Sequence, residues 1–248
     1  MVRLSIKKIN RASELLWLFG ILFVALGVAI CNKASLGVSM IAAPAFIIAE
    51  AISPILPFFS VGVVEYVFQG ALLLLLCLVV RRFRVRYLFA FAVAVIYGYV
   101  LNLFILVVGD AQPDSVAMRW LLLVIGDFVT AFGVACFFRT YMPLQVYELF
   151  VSEIADRFGF DIGRVKWAFD LSLLALSLIL AVSLFGGLSE IDTDTLLYAS
   201  YHSIGLGTVF TTLINSPIIT VMGRLIDKIF VPTPLLPKLR DALCESGN

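Results

Sequence analysis

The chain has 248 residues, 62% of them hydrophobic and 14% charged, with a formal net charge of +1. A soluble domain is about 45–50% apolar and about 25% charged. A globule of this composition could not cover its surface with polar groups, and the near-zero balance of charge points to no nucleic-acid partner. Most cytosolic enzymes, disordered tails and disulfide-framed secreted domains are thereby excluded, which leaves an all-α, polytopic protein of the lipid bilayer, a single membrane domain over residues 1–248.

The N-terminal flank places Arg3, Lys7, Lys8 and Arg11 before the first apolar run, Leu15 to Cys31. Such an order resembles a signal peptide. No small-residue cleavage site follows and further apolar runs do, so the run reads as an uncleaved first span. Val28-Ala29-Ile30-Cys31 is not a lipoprotein box, because Ile30 is too bulky beside the cysteine. The segment from Ala34 to Phe58 is apolar but holds Glu50, Pro44, Pro54 and Pro57. The runs Ser60 to Val80, Tyr87 to Val108 and Trp120 to Phe138 then meet the about 17–25 residues that a spanning helix needs.

Between Thr140 and Gly163, Tyr147, Phe150, Val151, Ile154 and Phe158 recur at helical spacing opposite Glu148, Ser152, Glu153, Asp156 and Arg157. That pattern predicts a helix lying along an interface. Trp167 to Gly187 and Ser203 to Gly223 complete six spans.

Lys and Arg beside spans stay cytoplasmic. With six spans and an internal N-terminus, Lys33 and Arg119 alone fall outside; the run Arg81, Arg82, Arg84, Arg86 and all other basic residues share the inner face. If both ambiguous segments crossed, that arginine run would lie outside. Six spans with both termini inside are expected. The acidic loops Asp110 to Asp114 and Ser189 to Thr195 then face outward, which agrees with this topology and adds little to it.

The chain also repeats itself. Phe19-Gly20 through Gly27-Val28-Ala29 aligns with Ile125-Gly126 through Gly133-Val134-Ala135. In register, Lys33 meets Arg139, Gly37 meets Pro143, and Glu50 meets Asp156. Phe59, Gly62, Val64 and Phe68 match Phe160, Gly163, Val165 and Phe169; Gln69 falls opposite Asp170, and Asn102 opposite Asn215. Repeat one runs over residues 12–109 and repeat two over 119–226. Each copy holds an odd number of spans, so the second enters the membrane inverted, and each carries an extra short or re-entrant helix. Inverted repeats place a site near the midplane at their interface. A duplicated scaffold that moves no solute is the plainer alternative.

Gly27-Val28-Ala29, Ser35-Leu36-Gly37 before a Pro-containing segment, Gly205-Leu206-Gly207-Thr208 and Asn215-Ser216-Pro217 resemble the YczE/YitT-like group of bacterial integral membrane proteins over about Leu15 to Ile226. The chain departs from that pattern where the first repeat lacks a Gly-Thr in its last span and where Met142-Pro143 replaces Leu36-Gly37. The resemblance implies a transporter-like protein of the bacterial cytoplasmic (inner) membrane. It supplies no substrate.

An ionisable group within a bilayer costs about 2.5–3.5 kcal/mol on insertion scales and marks a candidate site. Asp127 lies near the middle of the fourth span. A proton- or cation-coupled step and a carboxyl bonded to a neighbouring helix fit it equally. Asp170 and Glu65 lie about one turn inside their spans, where a solvated helix end competes with a site. Gln69, as repeat partner of Asp170, can converge with it. Asn102 and Asn215 suit helix-to-helix hydrogen bonds. Thr208, with Thr211 and Thr212, lines one face of the last span, which Pro217 interrupts; close packing and a local break lining a cavity are both open. Ser35 to Ser39 can start a short helix whose amides face an anion.

The cysteines Cys31, Cys77, Cys136 and Cys244 have no paired spacing, and His202 is the single histidine. No metal-ligand spacing, nucleophile elbow, phosphate loop or nucleotide fingerprint occurs, so no cofactor and no enzymatic activity are expected. The expectation is a secondary transporter or permease of a small solute; the carboxylates suggest a cationic substrate, or proton coupling, more than an anionic substrate. Its rivals are a nontransporting membrane partner of a biosynthetic or export system and a permease subunit needing a separate ATPase; a homo-oligomer or an unknown membrane partner fits each.

Overall fold

The computed structural model describes residues 9–109, 113–186 and 202–233. Among them are eight helices: α1 (Ser13–Ala34), α2 (Ala43–Ile52), α3 (Val61–Val80), α4 (Val85–Val108), α5 (Val116–Phe137), α6 (Val146–Phe158), α7 (Ile162–Phe185) and α8 (Leu206–Ile229). Six of these, all but α2 and α6, are long and apolar enough to cross a membrane. Their outer surfaces support that role, since Leu74, Leu78, Leu103, Leu106, Ile179 and Leu213 are each more than half exposed, a density of exposed apolar side chains that water would not tolerate. The all-α expectation needs one addition: β1 (Ile9–Ala12) and β2 (Phe230–Thr233) pair in parallel, Ile9 opposite Phe230.

α1 and α5 form the most extensive crossing. Gly20, Gly27, Gly126 and Gly133 remove the side chains that would hold the backbones apart. α4 packs on α1, and α8 on α5; the short α2 packs on α3 and α7, and the short α6 on α7 and α3. α2 spans 10 residues, about 15 Å at 1.5 Å per residue, which is too short to cross. Pro44 opens it where no helical N–H partner is required, and Ala43, Ala45, Phe46 and Ile47 are buried.

The ends of the helices are tied in two groups. At the basic end, Ser13 Oγ at the start of α1 donates to Thr140 Oγ1 just past α5 (2.9 Å), and Arg139 pairs with Asp227 near the end of α8 (2.7 Å). At the opposite end, Lys33 Nζ donates to the Val108 carbonyl oxygen (2.6 Å), joining the ends of α1 and α4. There the loop after α1 also docks on the start of α8, with Val38 N–H donating to Ser203 O (2.9 Å) and Gly207 N–H to Leu36 O (2.9 Å).

α6 is a helix as the spacing predicts, but it does not lie on the surface with its charges in water. Glu148 and Glu153 are buried, and only Asp156 and Arg157 of the charged face are exposed. Glu153 accepts from Arg84 (3.2 Å) and Tyr87 Oη (3.1 Å) and pairs with Arg86. The arginine run between α3 and α4 thus neutralises a carboxylate on α6, which explains how the helix sinks among its neighbours. Gly159, with φ of 69°, ends α6 in the left-handed conformation glycine tolerates. Asp161 then caps α7 by accepting from Arg164 N (3.1 Å). The loop Ser189 to Thr195, together with Asp110 and Cys244, lies outside the described residues.

Candidate functional site

Within the helix bundle lies a small cavity of about 20 Å³, walled in part by Ser39, Tyr97, Thr130, Gln145, Tyr147, Glu148, Lys166 and Asn215. It is wide enough for a single water. Its chemistry is set by what stands behind the wall. Tyr147 Oη donates to Glu65 Oε1 at 2.9 Å. Lys166 Nζ donates to both carboxylate oxygens of Asp170 at 3.1 Å. Asn215 Nδ2 donates to Asp127 Oδ1 at 3.2 Å. Each of three buried carboxyl groups therefore sits one hydrogen bond behind a residue that lines the cavity, while Glu148 is in the wall itself.

Five of the sequence-predicted residues meet at this place. Glu65 and Asp170 are fully buried, not solvated at helix ends: their exposures are 0% and 1%. Gln69 donates to Glu65 Oε1 (3.3 Å), so it joins Glu65 and not Asp170. Asp127 does bond to a neighbouring helix, as its plainer reading has it, but only through one oxygen. Asp127 Oδ2, Glu65 Oε2, Glu148 Oε2, Gln69 Oε1, Gln145 Nε2 and Asn215 Oδ1 are buried with no hydrogen-bond partner. Buried polar atoms are nearly always paired in native proteins, and their concentration here sets the site apart from ordinary packing.

Asn102 and Thr208 lie elsewhere. Asn102 accepts from Gly62 N (2.8 Å) and donates to Ser60 Oγ (2.8 Å), fastening the start of α3. Thr208 accepts from Gly205 N (3.3 Å), and its hydroxyl lies against Gly37. Thr211 and Thr212 hydroxyls donate back to Thr208 O (3.1 and 2.6 Å). These contacts hold helix ends together. The α2 start predicted from Ser35 to Ser39 begins at Ala43, and Ser39 faces the cavity.

Sequence reasoning did not single out Tyr147, Glu148 or Lys166 as site residues. Charge position assigns Lys166 to the cytoplasmic flank, and helical spacing assigns Glu148 to the polar face of its helix. Their signal was available: α7 extends from Ile162, so Lys166 and Asp170 stand one turn apart on one face of it. Burial pushes the Glu148 carboxyl up from its ordinary 4.5 to about 7; Lys166 pulls it back and Asp170 adds to the rise. Lys166 is the only basic side chain in the cavity wall among the described residues.

A larger cleft, of about 1340 Å³, opens between α7 and α8 at the basic end, lined by Arg139, Arg164, Trp167, Ser216, Pro217 and Arg224 among others. Lys166 and Ile219 line both cleft and cavity and so form the partition between them. Pro217 lies inside α8 and leaves the Leu213 carbonyl without its helical N–H donor at this depth. At the opposite end a polar pocket of about 270 Å³ holds the contact of His202 Nδ1 with Glu50 Oε1 (2.9 Å). No group of three or more His, Cys, Asp or Glu side chains that could hold a metal occurs among the described residues, and Cys31, Cys77 and Cys136 are unbonded thiols.

Residues 11–224 match a family of unknown function, DUF6198. The chain belongs to this family. No curated protein and no solved structure matches it. The family match runs from just before α1 into the last turns of α8 and takes in the cavity and all of the cleft lining but Asp227.

Proposed function

We propose that this member of DUF6198 is a secondary transporter or permease of a small cationic solute, coupled to protons, in the bacterial cytoplasmic membrane with both termini inside. The observation that carries the reading is the set of Glu65, Asp127, Glu148 and Asp170 at one cavity with Lys166 as the cation among them. Uncompensated buried charge costs several kcal/mol per ion, so an acidic excess of this kind is balanced by protons or by a bound cation. The resemblance to YczE/YitT-like membrane proteins belongs to this proposal and agrees with it.

Crossed contacts between the two sequence repeats support the same reading. Gly20 is the repeat counterpart of Gly126, and Gly27 of Gly133, yet the contacts run crosswise: Gly27 lies against Gly126, and Gly20 against Gly133. Reciprocal contact is what a two-fold axis between the copies produces. The pairings of α2 with α7 and of α6 with α3 are crossed in the same way. The copies also differ: α3 and α4 are closely packed at Gly62 and Gly98, whereas the corresponding α7 and α8 are parted by the cleft. A site approached from one side between unequal halves suits alternating access.

The test is solute movement by purified protein in liposomes, with labelled methylammonium, guanidinium and sodium as probes. Entry of at least one probe, abolished in Asp127→Asn, is expected. Flux unchanged in that variant removes Asp127 from the mechanism. No flux of any probe, together with a stably co-purifying membrane protein, favours the partner reading instead.

A further inference from the structure

Glu65 differs from the other carboxyl groups of the site in how it is reached. It is fully buried on α3 and does not itself line the cavity, from which it is separated by Tyr147. Its Oε1 accepts from Tyr147 Oη and Gln69 Nε2, and its Oε2 has no partner. The ionisable groups near it on the packed helices are Tyr147 and Glu148 of α6 and Tyr97 of α4. α2 offers only Glu50, which is exposed and paired with His202. None of the groups near Glu65 is a cation. A solute cannot reach this carboxyl group without displacing Tyr147, but a proton can.

We propose that Glu65 is the proton carrier of this transporter, loaded and unloaded through the Tyr147 hydroxyl, while the solute stays on the cavity side against Glu148 and the Asn215–Asp127 pair. The inference rests on the transport reading. In loading, the Tyr147 O–H proton passes to Glu65 Oε1, and the phenolic oxygen takes a proton from a protonated water in the cavity. One O–H bond forms on Glu65, the tyrosine is restored, and a neutral water remains. Unloading is the reverse. Gln69 holds the carboxyl group in line for the transfer. Its repeat counterpart is Asp170, whose carboxylate is instead occupied by Lys166, so the two copies hold one acid free for a proton and one neutralised by an ammonium.

Two measurements on the full chain in lipid test this. Infrared spectroscopy with stepwise change of pH should show a protonated-carboxyl component that is absent in Glu65→Gln, retained in Asp127→Asn and in Glu148→Gln, and shifted in frequency in Tyr147→Phe. In liposomes, Glu65→Gln should lose methylammonium accumulation driven by a pH gradient while keeping methylammonium exchange at equal pH; Glu65→Asp should keep both. The proposal is overturned if no component is lost in Glu65→Gln that Glu148→Gln retains. It is equally overturned if gradient-driven accumulation persists in Glu65→Gln, or if exchange vanishes there while Glu65→Asp retains it, since Glu65 would then be a solute ligand. If the wild type moves no methylammonium, guanidinium or sodium, the transport reading fails, and the infrared band still decides whether Glu65 carries the proton.

Discussion

Gly27 of α1 and Gly126 of α5 meet backbone to backbone: a methyl group on Gly27 would stand 2.6 Å from the Gly126 carbonyl oxygen, and one on Gly126 2.8 Å from the Gly27 carbonyl oxygen. Both partners are main-chain atoms, so neither can turn aside. Gly27→Ala and Gly126→Ala are therefore expected to cost about 1–3 kcal/mol each by overpacking, with the pair less than additive because one separation of the helices relieves both. Thermal melting of the purified protein checks this. An unchanged midpoint in both variants would mean that α1 and α5 do not cross here.

The ion pair of Lys166 with Asp170 gives a second expectation. Removing one member of a buried pair strands the other, at about 3–5 kcal/mol, while replacing both by apolar groups is often neutral. Lys166→Met alone should thus lower the melting midpoint strongly, and Lys166→Met with Asp170→Leu should recover most of the loss. A double variant no better than the single one would show that the pair is not the neutralising partner for either charge.

Glu148 makes stability depend on pH. Its carboxyl titrates near 7 in the folded protein against an ordinary 4.5. Between those values the folded state holds more protons than the unfolded one, so this residue's contribution falls as pH rises from about 4.5 to 7 and is level outside that window. Melting curves of wild type and Glu148→Gln, compared at each pH, should show a difference that changes in this interval in the wild type's disfavour. A difference independent of pH would place Glu148 in contact with water.

Topology gives a fourth expectation. Arg82, exposed between α3 and α4, lies at the basic end with Arg84, which binds Glu153. Arg82→Cys, with the native cysteines replaced, should react with an impermeant thiol reagent only from the cytoplasmic side. Labelling from outside would reverse the orientation and move the α7–α8 cleft to the outer surface.

Much of the architecture was legible because hydropathy acts locally. The run Ser60 to Val80 is α3 within one residue, and Tyr87 to Val108 is α4 within two. Hydropathy ends the last span at Gly223, whereas the helix continues to Ile229; Asp227 in that last stretch pairs with Arg139, a partner from a distant part of the chain. The same limit applies at the site. Asp127, Glu65 and Asp170 stood out against apolar neighbours, whereas Glu148 and Glu153 shared a face with Asp156 and Arg157. What buries Glu153 is Arg84, Arg86 and Tyr87, and Glu148 lies in the cavity wall with Lys166; no periodicity within α6 contains these partners.

The pairing of β1 with β2 bears on how the molecule is made. The strand that precedes the first helix is matched only by the segment that follows the last one. During synthesis β1 emerges before α1 and stays without its partner until all eight described helices have been produced. Its closure is thus a late event, one that registers complete assembly and holds the start of α1 and the end of α8 together only in a finished molecule. A chain cut short before Phe230 would keep all six spans and lack that fastening.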